Sequence, residues 1–134
     1  MFRRIDHVEL APSDMDRTIA FYRDVIGFTL TSRHVLNMGE LHEIAFMTLA
    51  DTMIELLGYA QPDTTPVGGQ QVAYRSIALE VDDMTATIDA LAAQGVPVVW
   101  GPMNLGASIR AEIRDPDGLG IELRQWLDAA AWGK

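Results

Sequence analysis

The chain has 134 residues, of which 49% are hydrophobic and 22% charged. This is the composition of an ordinary soluble globular protein, which excludes disorder as the main state. A formal net charge of -9 opposes contact with phosphate backbones and anionic lipid, so we expect neither nucleic acid nor a membrane as a partner. The lack of cysteine excludes disulfides, thiolate metal sites and a cysteine nucleophile. With no apolar signal-peptide segment near the start, we expect a cytoplasmic protein.

Two segments of the chain resemble each other. Residues 5–15 read IDHVELAPSDM and align with residues 74–84, YRSIALEVDDM, at an offset of 69 residues that pairs His7 with Ser76. The aligned positions share apolar residues at alternate places and end on the same Asp-Met pair. The likeness predicts an internal duplication.

A helical pattern follows each of these segments. Apolar residues recur three and four apart, and each pattern stops at a glycine, Gly27 in the first half and Gly95 in the second. A glycine just past a helix suits the left-handed conformation of a helix end. We expect Ser13 and Asp82 to cap the starts of the two helices.

Strand patterns follow each helix. Their β-forming residues are bounded by turn residues, such as the Asp115-Pro116-Asp117-Gly118 segment, which predicts a hairpin turn. Glu55 in MIELL matches Glu122 in GIELR at an offset of 67 residues, so the duplication extends to the last strand of each half. The predicted strands are 28–35, 41–50 and 52–58 in the first half, and 97–101, 107–114 and 120–127 in the second.

Each half therefore has the order β-α-β-β-β, and the predicted fold class is α+β. One helix covers only one face of its sheet, so we expect the two modules to form a curved, incompletely closed barrel around a cleft. The alternatives are a ferredoxin-like sandwich and a chance likeness between two α+β stretches. The predicted organisation is a single domain, 1–134, made of module one (1–58), a linker (59–73), module two (74–127) and a C-terminal tail (128–134).

Strand alternation places four polar side chains on equivalent positions of the face turned away from the helices: His7, Glu55, Ser76 and Glu122. Ionisable groups in the middle of a sheet face are costly unless they are paired. A divalent cation bound by one imidazole and two carboxylates would explain them.

Arginines offer another explanation for the two glutamates. Arg124 shares the face of Glu122, and Arg110 is within reach on the neighbouring strand. These arginines could pair with the carboxylates or bind an anionic substrate. Apolar residues that could line a pocket, or simply form core, are Phe46, Met53, Leu57, Trp100 and Met103.

Other segments are assigned structural roles. His34 and His42 are expected to be structural or to lie at the surface. The segment 101–106, GPMNLG, is either a simple connection between strands or, as its resemblance to a loop of similar proteins implies, a loop beside a substrate opening.

At this point the sequence resembles the vicinal oxygen chelate superfamily, the glyoxalase/bleomycin-resistance/dioxygenase group, over essentially its whole length. The resemblance rests on IDHVEL, DMDRTIAFYRDVIGF, TMIELL, SIALEVDDM and DPDGLGIEL, in that order. It implies paired βαβββ modules, usually in a homodimer, with a metal in the cleft. The glyoxalase I type takes His, Glu, His and Glu from the four equivalent strands, which makes His7, Glu55 and Glu122 the implied metal ligands and leaves Ser76 at the third position.

The serine departs from the family pattern. A Ser hydroxyl is a poor ligand for a divalent metal, so the site is either an open one with extra water or substrate positions, or one that has lost its ion. Sequence alone leaves open whether the four positions meet within one chain or across a dimer.

The resemblance implies a glyoxalase-like metal-dependent lyase or isomerase that acts on a small carbonyl or hydroxy-carbonyl substrate through an enediolate. Glu122, or Glu55, would move the proton as general base and then acid, and nickel, cobalt, zinc or manganese would suit such ligands. The alternative is a metal-free protein of the same fold that sequesters a small molecule, as antibiotic-resistance relatives do. An epimerase acting on an acyl thioester is a weaker possibility, since that subgroup has other residues at Glu55 and Ser76.

Overall fold

The computed structural model describes residues 1–66 and 68–134 and divides the chain into two compact units, Met1–Thr65 and Pro66–Lys134. We call these unit 1 and unit 2. The division falls within the predicted linker, 59–73, in which Val67 lies outside the described residues. Within the described ranges, no helix combines the length and apolar character that crossing a membrane requires. A cytoplasmic location and the lack of nucleic-acid binding stay predictions from composition.

Unit 1 is a four-stranded mixed sheet with one helical segment. The sheet order is β1-β4-β3-β2, in which β1 and β4 run parallel and the other neighbours run antiparallel. The α-helix continues directly into a stretch of π-helix that ends at Gly27, whose φ of 100° is the predicted left-handed conformation. The elements are β1 Val8–Leu10, α1 Met15–Ala20, the π-helix Phe21–Ile26, β2 Thr29–Met38, β3 Leu41–Leu49 and β4 Thr52–Tyr59.

Unit 2 repeats this arrangement. Its sheet order is β5-β8-β7-β6, again with the first two strands parallel and the others antiparallel. The α+β fold with two βαβββ modules is therefore confirmed. The elements are β5 Ser76–Glu80, α2 Met84–Ala93, β6 Trp100–Asn104, β7 Ser108–Arg114, β8 Gly120–Trp126 and a 3-10 turn at Ala129–Ala131.

The strand register agrees with the internal duplication. In unit 1 the parallel pair places Glu9 opposite Glu55. In unit 2 the corresponding pair places Ala78 opposite Glu122. Because these partners are separated by the predicted offsets, the two sheets are equivalent residue by residue along their parallel strands.

Each unit has its core between the helix and one face of the sheet. Alternate residues of β4 and β8 are buried there, whereas their neighbours face the opposite side, which we call the open face of each unit. Burying a Leu or Ile side chain contributes about 1.5–3 kcal/mol, so these positions hold the modules together. The buried apolar residues are Met15, Ile19, Tyr22, Phe28, Ala45, Met47, Ile54 and Leu56 in unit 1, and Met84, Leu91, Ala111, Ile113, Ile121 and Leu123 in unit 2.

The helix caps differ from the prediction by one residue. Asp14 and Asp83, and not Ser13 and Asp82, are the N-caps: each has extended backbone, and its carboxylate accepts a hydrogen bond from the amide three residues on. The buried methionine after each aspartate is the first helical residue. Both residues before the methionine are good capping types, so residue type alone does not choose between them. We attribute the start of the helix to packing of the methionine.

The first strand of unit 2 after its helix also differs from the prediction. The strand predicted at 97–101 is observed at Trp100–Asn104, so most of segment 101–106 is strand and not loop. This strand is an edge of its sheet, and all five of its residues are exposed. The bounds of this strand are set by its pairing with β7. The β-branched residues that precede it favour strand structure but do not indicate where that pairing begins.

Candidate metal and ligand sites

The open face of unit 1 brings a histidine and two glutamates together. His7 Nε2 lies 3.1 Å from Glu55 Oε2 and 3.7 Å from Glu9 Oε1. One ligand atom from each of the three residues falls within 4.8 Å of the other two. His7 directly precedes β1, and Glu9 is two residues further on the same face, opposite Glu55 of β4. Two of the predicted metal ligands are thus adjacent, and Glu9 joins them.

The imidazole of His7 is held in a defined orientation. Asp6 Oδ2 lies 2.9 Å from His7 Nδ1, and the Phe46 ring packs edge-on against the imidazole at a centroid distance of 6.3 Å. The Asp6 hydrogen bond, together with the negative charge of Glu55, raises the pKa of His7, against the opposing effect of burial. The same hydrogen bond lowers the pKa of Asp6. A carboxylate on Nδ1 is the usual partner of a metal-binding histidine, because it leaves Nε2 to face the ion.

This donor set fits a divalent cation. Glu9 and Glu55 are directly opposite on neighbouring strands, where like charges repel. Among the described residues their only ion-pair partner is His7, and the Glu55 side chain is only 12% exposed. Nitrogen and carboxylate donors of this kind, which make no ion pair with an arginine or lysine in the described part of the chain, are suited to zinc, nickel, cobalt or manganese.

The equivalent glutamate of unit 2 has different surroundings. Glu122 Oε1 accepts hydrogen bonds from Arg124 Nε and Nη2 at 2.8 and 2.5 Å. Glu122 Oε2 lies 2.8 Å from Arg110 Nε. That nitrogen is buried and makes no hydrogen bond within the described residues, so the contact is an ion pair with an unfavourable N–H direction. Both carboxylate oxygens of Glu122 are therefore next to arginines.

More charged residues surround this pair on the open face of unit 2. Glu112 lies opposite Glu122, and its Oε1 pairs with Arg110. The other oxygen of Glu112, Oε2, lies 3.9 Å from Arg114 Nη2. Arg124 also donates to the Ser108 hydroxyl at 2.9 Å. The arrangement is the one that the sequence offered as the alternative to metal ligation.

Two tryptophans flank these arginines. The Arg110 guanidinium lies 4.9 Å from the centre of the Trp100 ring, and that of Arg124 lies 5.5 Å from the centre of the Trp126 ring. Cation–π contacts of this kind orient a guanidinium plane at modest energetic gain. The tryptophans restrict the directions in which the two arginines point.

Ser76 occupies the place equivalent to His7. It is exposed, begins β5 and lies opposite Gly120. A Cβ atom added to Gly120 would lie 3.3 Å from the Ser76 Cβ and 2.7 Å from Arg114 Nη1. A guanidinium therefore approaches the position at which the family pattern would have a second histidine.

The remaining candidate residues have separate positions. His34 and His42 are exposed, as expected. Glu43 lies on the helix side, where it receives hydrogen bonds from Arg33 at 2.6 and 3.0 Å, and Arg33 also reaches Asp16 at 2.6 Å. The predicted pocket residues Phe46, Met53 and Leu57 are half-buried on the open face of unit 1, whereas Trp100 and Met103 belong to the exposed edge strand of unit 2.

Sequence reasoning did not select Glu9 or Asp6 as members of the site. The signal for Glu9 was present, since it has the same strand parity as His7. Asp6 has the opposite parity and gave no such signal, because it reaches the imidazole as a sequence neighbour just outside the strand ladder.

Comparison with known proteins places the chain in a family. Residues 4–123 match the family model described as the Glyoxalase/Bleomycin resistance protein/Dioxygenase superfamily. The match spans both units, and the chain belongs to this superfamily.

Relatives in the family carry more particular names. Lactoylglutathione lyase from Haemophilus influenzae is 37% identical over 125 residues, covering 89% of this chain and 90% of its own. A probable lactoylglutathione lyase from Vibrio parahaemolyticus is 35% identical over 134 residues, covering 96% and 94%. Similarity to lactoylglutathione lyases therefore extends over nearly the whole chain.

Solved structures show the same fold. A glyoxalase family protein from Bacillus cereus has a TM-score of 0.79 at 25% identity, covering 95% of this chain and 96% of its own. An antibiotic binding protein from Streptomyces sp. CB03234 has a TM-score of 0.74 at 28% identity, covering 93% and 97%. The fold is thus shared by a protein named for binding an antibiotic.

Proposed function

We propose that this protein is a glyoxalase-type metal-dependent lyase or isomerase that acts on a small carbonyl or hydroxy-carbonyl compound. The observation that carries the proposal is the His7, Glu9 and Glu55 cluster, in which two adjacent carboxylates have no arginine or lysine partner among the described residues. Relatives named lactoylglutathione lyase, at 35–37% identity, support the same class of reaction.

His7 and Glu55 would hold the ion from unit 1, and Glu122 is the proposed ligand from unit 2. The oxygens of Glu122 are next to Arg110 and Arg124. Glu122 could therefore bind the ion only by giving up a guanidinium contact. The ion would supply Lewis acidity toward a substrate oxygen. Nickel, cobalt, zinc and manganese all suit these donors.

The chain's own carboxylates would carry the proton. We assign this role to Glu122, with Glu55 as the other candidate, because both are ionisable groups on equivalent open-face positions. A carboxylate that takes a proton from one carbon and returns it to the next acts as general base and then general acid. Arg110 and Arg124 would orient Glu122 for this transfer.

Metal analysis tests the first part of the proposal. Protein purified without chelator and dialysed against zinc or nickel is expected to retain the ion, whereas His7→Ala is expected to retain almost none. His34→Ala is the matched control, since His34 is an exposed histidine of the same unit. Failure of the wild-type protein to bind any of the four metals would end the metal-dependent proposal.

Turnover tests the second part. Lactoylglutathione, named in its relatives, is the first compound to assay. At saturating metal, Glu122→Gln is expected to lower turnover by about 100-fold or more if Glu122 is the general base, whereas Glu112→Gln should change it far less. Equal effects of the two variants would move the proton-transfer role away from Glu122.

A second candidate function is metal-free binding of a small molecule. Ser76 at the position of a family ligand and the arginine contacts of Glu122 favour it, as does likeness to an antibiotic binding protein. Organic ligands that raise the melting temperature equally with and without EDTA, in a protein that binds no metal, would support this candidate over the first.

We also propose that the protein binds a small-molecule ligand and forms a homodimer. The strands β2 and β6 are sheet edges, and small chains of this kind commonly cover such edges by association. Light scattering after size-exclusion chromatography is expected to give twice the chain mass, and a monomer at all concentrations would contradict it.

A further inference from the structure

A single nitrogen of His7 faces two carboxylates. Nε2 lies 3.1 Å from Glu55 Oε2 and 3.7 Å from Glu9 Oε1, while Nδ1 is engaged by Asp6 at 2.9 Å. Nε2 carries either a lone pair, which repels both carboxylates, or one proton, which serves only one of them well. The imidazole alone therefore does not satisfy Glu9 and Glu55 together, whereas a cation beside Nε2 would attract the nitrogen and both carboxylates.

The spacing of the three donors suits one ion. Ligand atoms bonded to one divalent ion at about 2.0–2.2 Å lie about 3–3.5 Å from one another. The separation of 3.1 Å between His7 and Glu55 is within this range, and that of 3.7 Å between His7 and Glu9 exceeds it slightly. The Glu9 side chain is 59% exposed, against 12% for Glu55. Glu9 is therefore free to make the small movement that binding an ion requires.

Unit 2 has no carboxylate at the position of Glu9. Ala78 lies opposite Glu122 there, as Glu9 lies opposite Glu55 in unit 1. Like charges directly opposite on paired strands destabilise a sheet, so the carboxylate of Glu9 has a cost that Ala78 avoids. Binding of a cation between Glu9 and Glu55 would offset this cost.

We propose that Glu9 is itself a metal ligand, beside His7 and Glu55, and supplies from unit 1 the protein ligand that Ser76 does not supply from unit 2. The inference rests on the proposed metal-dependent function. It adds a ligand that lies outside the pattern of His, Glu, His and Glu from four equivalent strands. Three of the protein ligands would then come from two neighbouring strands of one unit, β1 with the residue before it and β4.

Isothermal titration of the metal-free protein with zinc tests this role. Glu9→Gln is expected to weaken zinc binding about tenfold or more, because a charged ligand is lost. Glu40→Gln is the matched control, since Glu40 is an exposed glutamate of the same unit in the turn between β2 and β3. This control is expected to bind zinc as the wild type does. Wild-type affinity in Glu9→Gln would overturn the proposal.

Glu9→Asp separates ligation from the effect of charge alone. This variant keeps the negative charge but withdraws the carboxylate by one methylene group. It is expected to weaken zinc binding and to change the visible absorption spectrum of the cobalt-loaded protein, because that spectrum depends on the donors around the ion. Affinity and spectrum equal to those of the wild type would show that position 9 acts only through its charge, and would overturn the proposal.

Ser76→Ala tests whether unit 2 supplies the ligand instead. It is expected to leave the zinc affinity unchanged, and a loss as large as that in Glu9→Gln would assign the ligand to unit 2 and overturn the proposal. Thermal unfolding of each metal-free variant checks that it is folded.

Failure of this inference is distinguishable from failure of the proposed function. A wild-type protein that binds no metal would end both. Metal binding that is lost in His7→Ala but unaffected in Glu9→Gln would overturn this inference alone and leave the proposed function standing.

Discussion

The two units differ on one face of the sheet and agree on the other. On the helix side both have buried aliphatic residues at equivalent places, such as Leu56 and Leu123. On the open side Glu55 has a histidine and a second glutamate beside it, whereas Glu122 has two arginines. Both modules therefore keep the packing face that each needs for stability. The open face is free to take different charged partners.

The largest expected effect tests the face on which the units agree. Leu56→Ala and Leu123→Ala each remove a side chain that is at most 2% exposed, and each is expected to lower the free energy of unfolding by about 2–5 kcal/mol through the cavity it leaves. Chemical denaturation measures both. A change below about 1 kcal/mol in only one unit would show that the two cores are not equivalent.

The next prediction concerns the face on which they differ. Glu55→Gln is expected to weaken metal binding by about 10- to 100-fold, since a charged ligand is lost. Glu122→Gln is expected to weaken it less, because ligation by Glu122 would already be offset by loss of its arginine contacts. Isothermal titration with zinc measures both, and a larger loss in Glu122→Gln would reverse the assignment.

A smaller effect is expected outside the ligands. Asp6→Asn removes the carboxylate that fixes the His7 ring through Nδ1, and the metal dissociation constant is expected to rise about tenfold. Asp63→Asn is a suitable control, as Asp63 is an exposed residue whose hydrogen bonds, among the residues that the structure describes, are to Thr65. Equal affinities of the two variants would show that Asp6 does not position the imidazole.

The smallest effect returns to the similarity of the units. Asp14→Ala and Asp83→Ala each remove an observed N-cap and are expected to cost about 1 kcal/mol. Asp82→Ala, at a position predicted from sequence as a cap, is expected to cost much less. Thermal unfolding distinguishes these outcomes, and equal costs for Asp82→Ala and Asp83→Ala would contradict the observed cap.

Sequence reasoning recovered most of the fold, because its signals are local and occur twice. The apolar alternation of β4 and β8, the glycines at the helix ends and the turn at Asp115–Gly118 each act within a few residues. The bounds of β6 were missed since an edge strand is defined by its partner. The caps were displaced by one residue since two capping types stand side by side.

The alternation of strand residues also predicted from sequence alone that His7 and Glu55 share one face, and in the structure His7 Nε2 lies 3.1 Å from Glu55 Oε2. Strand alternation did not predict which neighbouring side chains neutralise a carboxylate. That depends on where long, flexible side chains such as Arg110 and Arg124 lie, and a period of two residues reports only the face from which they start.

The amino-acid sequence by itself determined the duplication, the α+β class and the face of each strand, because hydrophobic periodicity and turn chemistry are properties of short segments. Only the tertiary structure decided that Glu9 and Asp6 join His7 and that Glu122 is held by arginines. The physical reason is that electrostatic partnership is set by distances of a few ångströms between side chains from different strands. Those distances exist only once the strands have paired.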